Sequence, residues 1–450
     1  MNTAKYLLSV RGSKAVRSAD IALDSITVLA GVNASGKSTL ARMMHQIVNL
    51  AAQYPYLLEK AAWEPLKNWA GQIVILEDRI DRNRSNPLSA YGVMAKSHEF
   101  EERLGHGELE AVISDLDQYS RQVLDKCRGR MSDGDVKRAL EAFAGALRIG
   151  DSFSTDVDKL LAIFCEKCEK AKAEYLQKLN ARTYVVYNLA TSMRYDIRWL
   201  TDAERVSFLE SGEPVYSVHS QAPKGKLEPD YALKEIFGLR ESFYIASPWV
   251  GIPQIANDGC LTIKYDDFPH YPPEHTTSEF VSLFSLIGGS VELDSSTGSP
   301  RWLFVRGSDG KKIALNDCAT GIKALSILNI LLARGHLNSE TLLIIDEPEA
   351  HLHPQWVVEY ARILVQIAKR LKVRMLLTSH NPDMVAALQE ISAHEKLDGV
   401  RFYLAQESGQ SGLYDYESLG MNVEPIFKAF NKAIDNLELY EVDSDDGVEV

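Results

Sequence analysis

Cysteine is scarce in this chain: five in 450 residues, an odd number. That count does not make a disulfide framework, so a reducing compartment, the cytoplasm, is expected. Long hydrophobic runs are missing too. "TLLII" and "LSILNILLA" are too short or too polar to cross a bilayer. The N-terminal "MNTAKYLLSVRGSK" lacks the long apolar core of a signal peptide, so no membrane association is expected. Positive charge is in deficit, with 49 Lys and Arg against 62 Asp and Glu, a net charge of −13. The chain as a whole therefore does not advertise nucleic-acid binding, although a local basic face stays open. There is no internal repeat. What is present is a globular composition, 45% hydrophobic and 25% charged, in a chain long enough for two or three substructures.

The pattern along the chain changes character twice. "KYLLSVRG" and "SITVLAG" read as strands, the second running into a glycine-rich turn, and "KSTLARMMHQIVNLA" then reads as a helix. From about Glu99 to Leu179 the pattern is largely helical, with one apolar stripe through Val157, Leu161, Phe164, Cys168, Ala171, Tyr175 and Leu179. From about Ala181 to Leu315 it turns mixed. "RTYVVYNL", "ESFYIAS", "CLTIKY", "SVELDSS" and "RWLFVRG" look like strands with Pro- and Gly-rich joins. A helix from Asn316 to Leu332, strand "TLLIIDEP", helix "PQWVVEYARILVQIAKRL", strand "VRMLLTSH" and helix "DMVAALQEI" follow. That alternation predicts a parallel sheet. The expected division is a composite head from 1–55 and 300–400, a helical lobe from 56–180, a mixed part from 181–299 belonging to either, and a C-terminal segment 401–450 with an acidic tail.

Three stretches carry chemistry. "GVNASGKST" fills G-x-x-x-x-G-K-[ST] with Gly31, Gly36, Lys37 and Ser38, between a strand and a helix. Such a loop turns backbone N–H groups inward around phosphates. Asn33, Ala34, Ser35, Gly36 and Thr39 complete the cradle, Lys37 reaches the β- and γ-phosphates, and the Ser38 hydroxyl ligates Mg²⁺. "LLIIDEPEAHLHP" is an apolar strand ending in Asp346 and Glu347. Carboxylates there sit at the sheet edge where ligands bind, so Asp346 is the candidate Mg²⁺ anchor and Glu347 the group that orients or deprotonates water. "LLTSHNPD" ends the next strand in His380, a candidate γ-phosphate contact; the competing reading is a turn residue.

These pieces, with "CATGIKALSIL" between the first and second, stand in the order of the ABC-type ATPases of the SMC, RecF and OLD kind, which the chain resembles over its first 55 residues and from Ile313 to about Ala393. The resemblance implies an α/β P-loop NTPase of the ABC type with a mixed sheet and a large, mainly helical insertion. It implies ATP and Mg²⁺ as cofactors, Glu347 as catalytic base and His380 as switch histidine. It places Ala319, Thr320, Gly321 and Lys323 in a signature serving the nucleotide of a second copy. His351 and His353 fall in a loop at the dimer interface, and Arg11 resembles an arginine that lies near nucleotide. Two departures stand out. The family's usual signature serine is Ala319 here, and no glutamine linking Mg²⁺ to the variable lobe can be assigned, so slow or conditional hydrolysis is implied. Transporter ATPases share the motifs but are far more compact between Lys37 and Asp346.

Within the group, "ATGIKALSILNILLARGHL" and "DEPEAHLHPQWVVEYARIL" look like the ATPase subunits of anti-phage systems of the PARIS and Septu type. That resemblance implies a homodimer as the minimum unit and a separately encoded effector, a nuclease or toxin. No acidic cluster of the TOPRIM type follows "TSHNPD", so the chain is not expected to cut nucleic acid itself. Two rivals stay open: a DNA-clamping repair ATPase, and a scaffold that binds ATP without useful hydrolysis. Weaker signals read as structure. Cys165 and Cys168 are a lone CxxC in mid-helix, read as buried thiols rather than half of a zinc hook. Arg79, Arg82 and Arg84 read as a solvated face. Phe243, Tyr244 and Trp249 read as core aromatics rather than a base-stacking platform.

Overall fold

The computed structural model describes residues 5–52, 54, 71–80, 109–146, 156–181, 203–219, 232–246, 288–294, 301–350, 352–409 and 411–435. The chain divides into two compact units, one of Met1–Ala52 with Arg194–Val450 and one of Gln53–Met193. The first is the head.

Its sheet has eleven strands among the described residues. In chain order they are β1 (Tyr6–Ser13), β2 (Val16–Leu23), β3 (Ile26–Ala30), β4 (Arg205–Glu210), β5 (Glu213–His219), β6 (Ala232–Leu233), β7 (Glu241–Ile245), and then, after a separate three-stranded sheet, β11 (Thr341–Asp346), β12 (Arg374–Ser379), β13 (Val400–Glu407) and β14 (Tyr414–Gly420). Their spatial order is β6-β5-β4-β1-β2-β14-β13-β3-β12-β11-β7. The run β13-β3-β12-β11-β7 is parallel, and the rest is antiparallel apart from the parallel join of β14 to β2. The sheet is mixed, as expected. The small antiparallel sheet joins β8 (Gly289–Asp294), β9 (Arg301–Arg306) and β10 (Lys312–Ala314).

The central strands follow from their residues. "ITVLA" and "TLLIID" are buried at every position, and "RMLLTS" at every position but its first. Continuous apolar runs of this kind suit parallel strands covered on both faces. Helices α1 (Lys37–Ala52), α5 (Thr320–Ala333), α6 (Pro354–Leu371) and α7 (Pro382–His394) follow strands or turns in the head, and α8 (Glu424–Asp435) closes its described part. Leu328, Leu331, Leu364, Leu388, Leu377 and Phe402 are among the fully buried residues of the core shared by α5, α6 and α7 with the parallel strands. Asn381 caps α7, its side chain accepting from the Met384 amide at 3.0 Å, with Pro382 in the first turn. A left-handed Lys372, φ 59°, ends α6.

The head differs from the segments 1–55 and 300–400. Strands β4 to β7 join its sheet, so the described residues from 203 to 294 belong to the head. The C-terminal segment also contributes: β13 pairs with β3 in the middle of the sheet, with Phe402, Tyr403, Leu404 and Ala405 buried. The expected strands "RTYVVYNL" and "CLTIKY" lie outside the described residues.

The second unit contains helical residues 71–80, α2 (Leu109–Arg128), α3 (Gly134–Ala146) and α4 (Val157–Ala181). The predicted stripe on α4 holds for Val157, Phe164 and Cys168, which are buried, while Leu160 rather than Leu161 takes the second inward place. The Phe143 and Phe164 rings, 6.5 Å apart, join α3 to α4. The Cys165 thiol donates to Asp117 on α2 at 2.8 Å. Burial first, then Asp117, pushes Cys165 up to about 11, and burial pushes Cys168 up to about 12. Zinc needs thiolates and four ligands, of which this pair would supply two. Arg79 is exposed; Arg82, Arg84, Trp249 and the acidic tail lie outside the described residues. Among the described residues no helix is long and apolar enough to cross a membrane.

Ile344 sits at 0% exposure in the middle of β11. Replacing Ile344 with Ala should cost about 2–5 kcal/mol of unfolding free energy, read by denaturant titration; a loss within experimental error would contradict the packing described.

Candidate functional site

The site is built at the C-terminal ends of the parallel strands, where β3, β11, β12 and β7 release their last residues to one edge. After β3, residues Gly31–Gly36 make the loop and α1 begins at Lys37. The loop is a tight cradle. A Cβ on Gly36, φ +96°, would lie 2.5 Å from Cγ2 of Val16, and one on Gly31 2.8 Å from Cβ of Ala405. Only glycine fits at either place. Ala34 takes a left-handed φ of 63°. Asn33 and Ala34 are exposed, Ser35 is buried and Thr39 half-buried. From β14, the Tyr416 hydroxyl donates to the Ser35 carbonyl at 3.3 Å.

Lys37 is buried, and its Nζ donates to the carbonyls of Gly31 and Val32, each at 2.8 Å. Burial lowers its pKa, opposed by the charges of Glu347, Asp346 and Glu349. The amine is folded back over its own loop, which is where phosphate oxygens would accept from it.

Asp346 gathers three hydroxyls. Ser38 donates to Oδ1 at 2.9 Å, Tyr244 to Oδ2 at 2.7 Å, and Thr378 to Oδ1. The donors come from α1, β7 and β12. A carboxylate and a hydroxyl held together at a phosphate loop are hard oxygen ligands of the kind Mg²⁺ takes with ATP phosphates. The residues present therefore fit Mg²⁺–ATP: Ser38 and Asp346 for the cation, and Lys37 with the loop amides for the phosphates.

Glu347 follows with φ 54°. A left-handed conformation is costly for a non-glycine residue and is held here by the Glu347 amide, which donates to the carbonyl and the Oγ1 of Thr378, both at 3.1 Å. Its Oε1 lies 3.2 Å from Nδ1 of His380, an exposed ring at the end of β12. Glu347 and His380, expected as base and switch, are thus in contact. Behind them Glu349 is buried, and burial raises its pKa against the hydrogen bonds it accepts.

The residues expected as a signature lie at the start of α5. Ala319 is its N-cap and supplies no side-chain hydrogen bond, leaving amides of the first turn unsatisfied from within the helix. Ala319 is exposed, while Thr320, Gly321 and Lys323 are half-buried. A Cβ on Gly321 would come within 3.2 Å of the Trp356 ring on α6. His353 is exposed and caps α6, its Nδ1 accepting from the Gln355 amide at 3.4 Å. His351 lies outside the described residues. Arg11, on β1, pairs with Asp20 at 2.7 Å and with the Val10 and Ala19 carbonyls; its hydrogen bonds do not run to the phosphate loop.

Sequence reasoning missed four residues: Tyr244, Thr378, Tyr416 and Glu349. Tyr244 is a buried strand aromatic, as expected, but its hydroxyl does polar work. Arg42 on α1 donates to that hydroxyl at 3.2 Å. The position of "FYI" at the end of a strand entering the same sheet edge was the available signal.

Removing this hydroxyl should tell on the cation rather than on the phosphates. Tyr244→Phe should weaken Mg²⁺-dependent ATP binding by about tenfold and leave Mg²⁺-free binding unchanged, in titrations with a fluorescent ATP analogue. Equal losses with and without Mg²⁺ would show that the hydroxyl does not act through Asp346.

Residues 256–385 match the family described as "AAA ATPase domain". Comparison with curated protein sequences finds no match. Among solved structures the chain is similar to the SMC head domain from Thermotoga maritima, with 10% identity, TM-score 0.34, and coverage of 92% of this chain and 98% of that one. It is similar to the Smc head domain with an extended coiled coil bound to the C-terminal domain of ScpA, derived from Pyrococcus furiosus, at 11% identity and TM-score 0.32, covering 97% and 99%. A SmcHead bound to the C-winged helix domain of ScpA matches at 17% identity and TM-score 0.25, over 33% of this chain and 43% of that one. The ATPase-domain match takes in the acidic strand end and His380, which the mixed sheet sets beside the glycine-rich loop after β3.

Proposed function

We propose that the chain binds and hydrolyses ATP, dimerises around it, and uses that cycle to control a separately encoded effector in anti-phage defence. The observation that carries the ATPase reading is the 2.9 Å bond from Ser38 to Asp346, which brings the cation-binding groups of the loop and the acidic strand together beside Lys37. Ser38 and Asp346 would hold Mg²⁺, which would neutralise phosphate charge. Lys37 and the loop amides hold the phosphates. Glu347 takes the proton of the attacking water, and His380, 3.2 Å away, orients that carboxylate and meets the γ-phosphate.

Dimerisation is supported by α5. Its first-turn amides have no side-chain cap, and an uncapped helix N-terminus favours an anion. The phosphate loop already serves the phosphates of its own chain, so Ala319, Thr320, Gly321 and Lys323 are assigned to the γ-phosphate held by a second copy. His353 and His351 then belong to the facing surface, and Arg11 to the rim of the nucleotide site. Ala319, where the family has serine, favours slow turnover and keeps a non-hydrolysing scaffold as the second reading. The effector role rests on the sequence resemblance alone, with a nuclease or toxin as its object.

Glu347→Gln should lower turnover by at least about a hundredfold, as loss of a general base does, and leave an ATP-loaded dimer in light scattering after size exclusion. Lys37→Ala should remain monomeric with ATP and fail to bind it. An unchanged Glu347→Gln rate would favour the scaffold; undiminished ATP affinity in Lys37→Ala would overturn the whole reading. For the effector, co-purification with the product of the neighbouring gene should differ with and without ATP; the same absence of binding in both would remove the effector role.

A further inference from the structure

Glu349 is the one acid of "DEPE" without a role so far. Its side chain is 3% exposed. Oε1 accepts from the Ser379 hydroxyl at 2.8 Å and from the His380 amide at 3.1 Å, and lies 3.8 Å from Nδ1 of His380. Oε2 is buried without a hydrogen-bond partner. The loop that carries it is tied to itself by the Ala350 amide on the Glu347 carbonyl, 2.9 Å, and the Leu352 amide on the Glu349 carbonyl, 3.0 Å. Burying a carboxyl with one bare oxygen is unfavourable, and an apolar side chain would pack there at less cost.

The geometry is that of a clamp. We propose that Glu349 is a positioning residue for hydrolysis: it grips the end of β12 by Ser379 and the His380 backbone, and so holds the His380 ring against Glu347. Three facts converge on this. Two of the groups that Glu349 holds are at His380 or next to it. The ring it fixes touches the proposed base at 3.2 Å. The base itself stands in a left-handed conformation tied to the same strand by Thr378. The His380 amide itself donates to Glu349. In this proposal the effect of Glu349 on hydrolysis runs through His380. The inference rests on the hydrolysis reading above.

The test compares Glu349→Ala, Glu349→Gln and His380→Ala in the full chain, with ATP affinity, kcat and KM measured for each. Glu349→Ala should lose about 10- to 100-fold in kcat, the usual penalty for a lost orienting partner, while Kd for ATP holds. Glu349→Gln, whose amide oxygen can accept both hydrogen bonds, should recover most of that loss. In the His380→Ala background, Glu349→Ala should add less than about twofold, because the two residues act as a unit. A wild-type rate in Glu349→Ala overturns the proposal. So does a full penalty that persists without His380.

A second readout separates this proposal from the hydrolysis reading. Histidine ring signals are recorded by NMR on ¹³C-histidine-labelled protein, with His380 identified by its loss in His380→Ala. Glu349→Ala should displace the His380 signal, and Glu349→Gln should return it towards its wild-type position. If wild-type turnover does not exceed that of Lys37→Ala, the hydrolysis reading fails, and the ring signal still decides the clamp. An undisplaced His380 signal in folded Glu349→Ala overturns it.

Discussion

Asp346 is a carboxylate at 8% exposure that receives hydroxyl hydrogens from α1, β7 and β12 at once. A buried charge survives only when it is hydrogen-bonded on most sides, and here the partners come from parts of the chain far apart in sequence. That requirement fixes much else. The phosphate loop must stand at the height of Ser38. β7 must run parallel to β11 and in register with it, which places Tyr244 beside Ile344, two residues short of the acid. Thr378 must sit opposite Asp346 on β12, as it does. The same threonine then holds the Glu347 amide. One acid thus orders the start of α1 and the ends of three strands.

The phosphate loop and the acid motifs were legible because each is a local pattern with a physical reason. Glycines, a lysine and a hydroxyl within nine residues predict a turn; four apolar residues before two acids predict a strand end. The helix at Lys37–Ala52 and strands β3, β7, β8, β9, β11 and β12 could be read for the same cause. What was not legible depends on pairing. β13 falls in a segment that reads only as C-terminal, and its place in the centre of the sheet comes from β3 accepting it as a parallel neighbour. β4 and β5 form an antiparallel extension of β1 that no motif marks.

The candidate site divides along the same line. Lys37, Ser38, Asp346, Glu347 and His380 belong to short patterns and could be named in advance. Tyr244, Thr378 and Glu349 become functional candidates only through contacts across strands. Tyr244 was read as a core aromatic, and that reading was half right: the ring is buried, but the hydroxyl at its end is on the acid. Amphipathic side chains of this kind satisfy packing and chemistry together, which is why composition and periodicity alone do not separate the two roles.

The loop is also braced from behind, by Val16 against Gly36, Ala405 against Gly31, and Tyr416 on the Ser35 carbonyl. These props arrive at opposite ends of synthesis. Val16 leaves the ribosome before the loop itself, whereas Ala405 and Tyr416 emerge almost four hundred residues later. A nascent chain can therefore display every nucleotide-binding motif while its cradle still lacks a back wall. Completion of the cradle thus depends on strands from the far end of the head standing beside β3 and β2.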